Sequence, residues 1–359
     1  NKAGLIETVG SGEPRIDFNN DAKGALLLEP TRSNFFLFSE YFLSGAWTKE
    51  SSTIVADSSI SPDGNLNATK LTSNTSSGLI RASYNSSIGV DHTFSFFIKN
   101  DNSLSSDITI RTSSTAVNST INWTNNVLTS ITNGTGVTDF ESYGNGWYRV
   151  FTSYESIEAE QRCKIYASRN GDGASVYIYG AMIEQGSYAT SYIPTQGSVV
   201  TRSADVCNNG GNEQVINSTE GVLYAEISAL ADDGDSRRIT INDGSTSNRI
   251  IIEYSSISNR LSVYLVLSSS NQVSFQYDMS DVTVYSKIAF KYKLNDFSLY
   301  VNGIKVLTDT VGNVFTQGTL NGIDLDNSNG NNSLYANVKD IRLYNTALTD
   351  AELQALTSN

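Results

Sequence analysis

The chain has one histidine, two cysteines, two methionines and four prolines in 359 residues, and only 17% of it is charged. A single His leaves almost no material for a Ser-His-Asp triad, a His-ligated zinc or a His-based acid–base pair. That residue, His92, precedes an alternating run and reads as a surface side chain. Two cysteines in a chain of this length are not a disulfide framework. Cys163 lies in the alternating run Arg162-Cys163-Lys164-Ile165-Tyr166 and reads as a buried free thiol, with a Cys163–Cys207 bridge as the alternative. Basic residues are scarce as well: 24 Lys and Arg stand against 37 Asp and Glu, a formal charge of −13. That balance argues against nucleic acid as a partner, because a phosphate backbone needs a basic surface. No apolar run is long enough to span a bilayer, so no membrane insertion is expected, and no signal peptide is recognisable. The first residues, Asn1-Lys2-Ala3-Gly4-Leu5-Ile6, start without methionine, as though cut from a longer protein.

What is present is aromatic and small: Tyr and Phe are plentiful, and Ser, Thr, Asn and Gly fill the gaps. That is the composition of many short strands joined by turns. The length suits two domains of about 150 residues each. Ala174 to Val206 organises the reading. Val176 and Ile178 alternate with Tyr177 and Tyr179, Gly180 breaks the run, and Ala181-Met182-Ile183 resumes it. This is the closing strand of one β-domain; Pro194 stops it, and a tether hands over to a second domain. The expected organisation is a lead-in over 1–28, a jelly-roll domain over 29–196, a linker over 197–219 and a second sandwich over 220–359. The fold class is therefore all-β: two β-sandwich domains in tandem with a short C-terminal helix.

In the first domain strands are expected at Ala68–Thr72, Gly78–Ser83, Thr93–Lys99, Asp107–Thr112, Ser119–Trp123, Val137–Tyr143, Gly146–Thr152 and Arg162–Ala167, with a helical turn between Ser39 and Ser44. Gly144-Asn145-Gly146 is a tight turn, since Gly and Asn tolerate positive φ. In the second, Asp243-Gly244 turns the chain between two strands, and Asn302-Gly303 is the strongest hairpin signal. The C-terminal helix is announced by Thr349 as N-cap, Glu352 three residues on as a capping box, and Leu348 as a staple to Leu353.

Two resemblances follow from particular residues. The second domain is similar to the concanavalin A-like lectin/glucanase superfamily, in its laminin-G-like branch. It carries Ala289-Phe290-Lys291-Tyr292, Leu299-Tyr300-Val301-Asn302-Gly303 and the ending Asp340-Ile341-Arg342-Leu343-Tyr344-Asn345 through Glu352. The first resembles a module of bacteriophage tail-fibre and receptor-binding proteins. The matching pieces include Leu26-Leu27-Leu28-Glu29-Pro30-Thr31-Arg32-Ser33-Asn34, Gly144-Asn145-Gly146-Trp147-Tyr148-Arg149 and Gly180-Ala181-Met182-Ile183-Glu184-Gln185-Gly186. Such modules look like the jelly-roll carbohydrate-binding modules of polysaccharide-degrading enzymes. Sandwich folds host many functions, so the ligand does not follow from the fold.

Catalytic spacing is missing. The Glu-x-Asp-x-x-Glu strand of the glucanase branch does not occur; Glu226 stands alone and Asp232-Asp233-Gly234-Asp235 reads as a turn. The chain is taken as non-catalytic. For a metal, the stretch Asp324-Leu325-Asp326-Asn327-Ser328-Asn329-Gly330-Asn331 has oxygen ligands at alternate positions, as a calcium loop does, with Asp324, Asp326 and Asn329 as the candidates, but the twelfth position is Tyr335 in place of a bidentate Glu. An Asn/Asp/Gly turn is the plainer reading, although lectin-like relatives imply a structural Ca²⁺. Sugar binding needs exposed aromatic faces beside amides or carboxylates. Trp47 and Trp147 read as core, and Trp123, bracketed by Asn122 and Asn125-Asn126, is the surface candidate. Tyr264 and Tyr300 either line a groove or cover a sheet.

The resulting expectation is a binding segment of a virion or cell-surface protein, a phage tail fibre or receptor-binding protein recognising a host-surface glycan or polysaccharide. It would sit on the virion surface or outside the cell, with other subunits of a virion or fibre as partners and a homotrimer formed through an upstream segment. An accessory carbohydrate-binding region of a secreted polysaccharide-degrading enzyme or adhesin, and a structural spacer of a virion, are the alternatives.

Overall fold

The computed structural model describes residues 1–19, 21–111, 116–134, 137–169, 171 and 173–358. The chain ends of two expected segments, Thr112 and Asn359, lie outside the described residues. Two units emerge: the first comprises 1–10 and 31–203, the second 11–30 and 204–359.

In the first unit two six-stranded antiparallel sheets face each other. One runs Val127–Asn133, Ala116–Thr124, Ser105–Arg111, Glu160–Tyr166, Leu79–Asn85, Thr48–Glu50. The other runs Val137–Ser142, Trp147–Glu155, Asp91–Asn100, Ser175–Gln185, Leu66–Ser73, Ser52–Ile60. Alternation along each strand supplies the core between them: Phe94, Phe96 and Ile98 from one sheet meet Ile108, Ile110, Ile121, Cys163 and Ile165 from the other. The chain crosses repeatedly between the two sheets, as in a jelly-roll sandwich. The strands Ser52–Ile60 and Val127–Asn133 were not anticipated; Ser52–Ile60 is rich in Ser and carries one buried apolar residue, Ile54. Around Ser39–Ser44 the chain makes turns and not a helix; Ser39 N bonds outward to Thr195 O at 3.3 Å.

The second unit has a seven-stranded sheet ordered Ile16–Asp17, Ala25–Leu28, Ala336–Tyr344, Glu220–Ala229, Ser286–Lys293, Phe297–Val301, Ile304–Asp309. Against it packs a five-stranded sheet ordered Ser270–Asp278, Arg260–Leu267, Arg249–Tyr254, Arg237–Asn242, Gly322–Asp324. Leu223, Ala225, Ile288, Phe290 and Leu299 of the first meet Ile239, Ile241, Ile250, Ile252, Val263 and Leu265 of the second. Asn302 and Gly303 both take positive φ (47° and 82°) in the hairpin, the geometry that matches strand twist. The helix Asp350–Thr357 has the expected capping box, and Leu353 is buried on the outer face of the sheet with Tyr300.

The segments read as lead-in and linker are paired structure. Ala25–Leu28 adds to the seven-stranded sheet beside Ala336–Tyr344. In 197–219, Val200–Arg202 pairs with Arg32–Asn34 in the first unit, while Gly210 bridges Ile323 and Ile216 enters the core of the second. Strands of three or four residues leave too little periodicity to show which sheet they join.

Candidate functional site

The five-stranded sheet of the second unit gives its apolar alternates to the core, so the intervening positions form its outer face. Pairing aligns them in rows across the strands. Asp324, Thr240, Ile251, Tyr264 and Ser274 make one row. Arg238, Glu253, Ser262 and Gln276 make the next, and Asn242, Arg249 and Val266 a third.

The segment after Gly322–Asp324 lies against this face. Thr240 Oγ1 donates to Asp326 O at 3.1 Å. Arg238 Nη1 donates to Asn327 Oδ1 at 2.6 Å, and Arg249 Nη1 donates to the same oxygen and to Asn327 O at 3.2 Å. Arg238 also grips Glu253 Oε1 through Nε and Nη2 at 3.1 and 2.9 Å. Two guanidinium groups thus converge on one neutral amide. Burial lowers the pKa of Arg249, and the like charge of Arg238 lowers it further, against Glu253. Arg249 Nε is buried without a hydrogen-bond partner. Tyr264 stands half-buried in the neighbouring row. A half-buried Tyr ring on a polar sheet face suits the carbon face of a saccharide.

Of the residues picked from sequence, Tyr264, Asp324 and Asp326 fall on this face or its loop, and Asn329 at the exposed loop tip accepts from Asn331 N at 3.2 Å. Arg238, Arg249 and Asn327 were missed. Their signal was Arg at outward positions on two adjacent Ile-rich strands, in a chain short of basic residues. Tyr300 is 2% exposed, packed with Leu353 under the helix, and cannot line a groove.

Trp123 also requires correction: it is 6% exposed, its Nε1 donates to Ser106 Oγ at 3.0 Å, and its ring meets Tyr148 edge-on at 5.9 Å. The flanking polar residues explain the misreading. Asn125 and Asn126 are turn residues with φ of 51° and 62°, and Asn122 faces the other side, donating to Thr132 Oγ1 at 3.0 Å. His92 is 3% exposed, among Phe35, Tyr84 and Tyr154, with Nδ1 against Val90 O and Ser156 Oγ at 3.0 Å each. Cys163 is a buried free thiol, and Cys207 is exposed and free. Trp147 is buried, but on the outer face of its sheet and not between the sheets.

For calcium, the fit is partial. Asp324 accepts from Asn209 N at 2.6 Å and from Asn242 Nδ2 at 2.8 Å, one bond on each oxygen. Asp326 Oδ1 is buried without a hydrogen-bond partner. Burial, then the neighbouring Asp324, raises the Asp326 pKa against backbone N–H groups of Ser328, Gly330 and Asn329. Among the described residues no three His, Cys, Asp or Glu side chains gather closely enough to hold an ion.

Residues 224–354 match the laminin-G-like model of the concanavalin A-like lectin/glucanases superfamily. Over these residues the second unit is similar to concanavalin A-like, laminin-G-like lectin domains. The match covers a little over a third of the chain and leaves the first unit outside it. No curated protein matches the sequence. Among solved structures, a heptameric SAP-like pentraxin from Limulus polyphemus aligns at 11% identity over 42% of this chain and 74% of its own, with a TM-score of 0.34. Sheep galectin-11 aligns at 8% identity over 35% of this chain and 90% of its own, with a TM-score of 0.27. Domains LG4-5 of the mouse laminin α1 chain align at 9% over 96% of this chain and 94% of their own, with a TM-score of 0.28. At such scores these likenesses carry no argument about the ligand. Lectin-like domains of this kind are usually non-catalytic binders.

Proposed function

We propose that the chain is a non-catalytic binding segment whose lectin-like domain holds a saccharide on the outer sheet face around Tyr264. The observation that supports this is the half-buried Tyr264 ring on a sheet face whose neighbouring rows hold Arg238 and Arg249, both bonded to Asn327. A host-surface glycan recognised by a virion or cell-surface protein, such as a phage tail fibre, fits this reading. So do an extracellular or virion-surface location and assembly with further subunits, a homotrimer included. Among the described residues no helix is long and apolar enough to cross a membrane.

A glycan array on the full chain tests the proposal. At least one saccharide should bind, and Tyr264→Ala should weaken it about fivefold or more, the worth of one aromatic contact. A blank array would favour the spacer; release of oligosaccharide from a bound polysaccharide would sink the non-catalytic part. A structural Ca²⁺ is a second proposal, favoured by the unpartnered Asp326 Oδ1. Calcium should then raise the melting temperature of the second unit and Asp326→Asn should abolish that rise; identical melts with calcium and with EDTA would remove it.

A further inference from the structure

The first unit has an apolar cluster outside its core. Ala68, Phe97, Trp147 and Tyr179 lie on the outer face of the sheet that contains Asp91–Asn100, with Ile6, Tyr143, Tyr177 and Tyr192 packed on them. The N-terminal residues are anchored there, Ile6 N donating to Pro62 O at 2.9 Å. Between them remains a cavity of about 290 Å³, bounded by Leu5, Pro62, Lys99, Tyr143, Asn145 and Trp147 among others. That is the low end of ligand-site sizes, about 300–1,000 Å³, and suits one small ring more than a polymer.

The walls are rigid. Tyr143 sits edge-on to Phe97 at 4.9 Å and, half-buried, presents carbon surface, while Trp147, buried with its Nε1 committed to Ile60 O at 2.9 Å, closes the floor. Lys99 pairs in register with Trp147, and its stem lies over Gly146, where an added Cβ would be 3.6 Å from Lys99 Cε. Among the described residues its ammonium has no carboxylate or hydrogen-bond partner; Lys2, Lys23, Lys49 and Lys164 have none either, and Lys99 differs from them in lining this cavity. In a chain with 37 acidic and 24 basic residues, a half-buried unpaired cation in a cavity favours an anionic occupant. Asn145, exposed at the mouth in a turn of three consecutive positive φ values (73°, 50° and 78°), adds a side-chain amide.

We infer that this cavity binds a single carboxylate-bearing sugar of uronic-acid size. Its carboxylate pairs with Lys99, its ring carbons lie against Tyr143 over the floor closed by Trp147, and Asn145 bonds a hydroxyl. The site is separate from the Tyr264 face and does not depend on it.

Saturation-transfer NMR and titration of the full chain with glucuronate, glucose and acetate test the inference. Glucuronate should bind more tightly than either control, and more weakly as salt is raised. Lys99→Met keeps the stem, removes the charge, and should weaken glucuronate about tenfold. Leu5→Trp should fill the cavity and abolish binding. Lys49→Met, an exposed lysine elsewhere, should change nothing. No glucuronate binding by the folded chain, equal binding by Lys99→Met, or glucose or acetate binding as well as glucuronate, would each overturn the assignment.

Discussion

Single side chains decide several features of this chain, and Trp123 is the plainest. Its indole fills the space between the two sheets of the first unit and donates to Ser106. Trp123→Ala should therefore lower the stability of the first unit by about 3–5 kcal/mol, as loss of a buried aromatic does. A chemical denaturation curve measures this, and an unchanged midpoint would contradict the burial. Asp63 works through charge. Burial pushes its pKa up, but bonds from Ser61, Asn65 and Asn67 outweigh that and bring it down to about 2. A carboxyl whose pKa is depressed on folding stabilises above its unfolded pKa, near 4, and loses that contribution as pH falls towards its folded value. Asp63→Asn should cost about 1 kcal/mol at neutral pH after allowing for solvent screening, with the difference vanishing near pH 2. Equal penalties at both pH values would exclude the electrostatic account.

Among the elements, Ser175–Gln185 shows what one residue does to a strand. Val176 and Ile178 face the core before Gly180, and Ala181 and Ile183 face it afterwards. The inward set changes parity because the pairing with Asp91–Asn100 shifts between Tyr179 and Met182, a bulge centred on Gly180. Gly180 has φ of 58°, and a Cβ there would stand 2.9 Å from Phe97 Cδ2 and 3.2 Å from Tyr192 Cζ. Gly180→Ala should cost about 1–3 kcal/mol through strain and crowding. A melt within error of the native chain would show that the bulge tolerates a side chain. The break at Gly180 was legible in the sequence; that it re-aims the strand and does not end it required the paired neighbours.

At the scale of the molecule, the chain passes between the units more than once. The motif Leu26 to Asn34 straddles a boundary: Ala25–Leu28 belongs to the sheet of the second unit and Arg32–Asn34 pairs within the first. A fragment of residues 220–359 lacks Ala25–Leu28, and with it Leu28 and Ile216 of the core. It also leaves Ala336–Tyr344 with an open edge. That fragment should melt well below the second unit in the full chain, or aggregate. Attaching residues 11–30 to a fragment of 204–359 should restore most of the loss. Equal melting of 220–359 alone would show that the added strands contribute nothing.

Alternation, turn chemistry and the capping box by themselves determined the all-β class, the inward faces of most strands, the Asn302-Gly303 hairpin and the C-terminal helix. These are local matters, set by period two, by positive-φ residues and by side chains three positions apart. The similarity of the second unit to laminin-G-like domains was legible in its closing residues. The sequence placed Tyr264, Asp324 and Asp326 among its candidates; the sheet register brought Tyr264 and Asp324 into one row, and Asp326 follows in the loop laid against that face. Only the tertiary structure decided which aromatics see solvent, because Trp123 and Tyr300 look alike in pattern to exposed ones until the opposing layer is in place. Only it showed Arg238 and Arg249 meeting at Asn327, 89 and 78 positions away along the chain. Pairings of that range leave no periodic trace, since nothing in a local stretch records which distant strand will lie beside it.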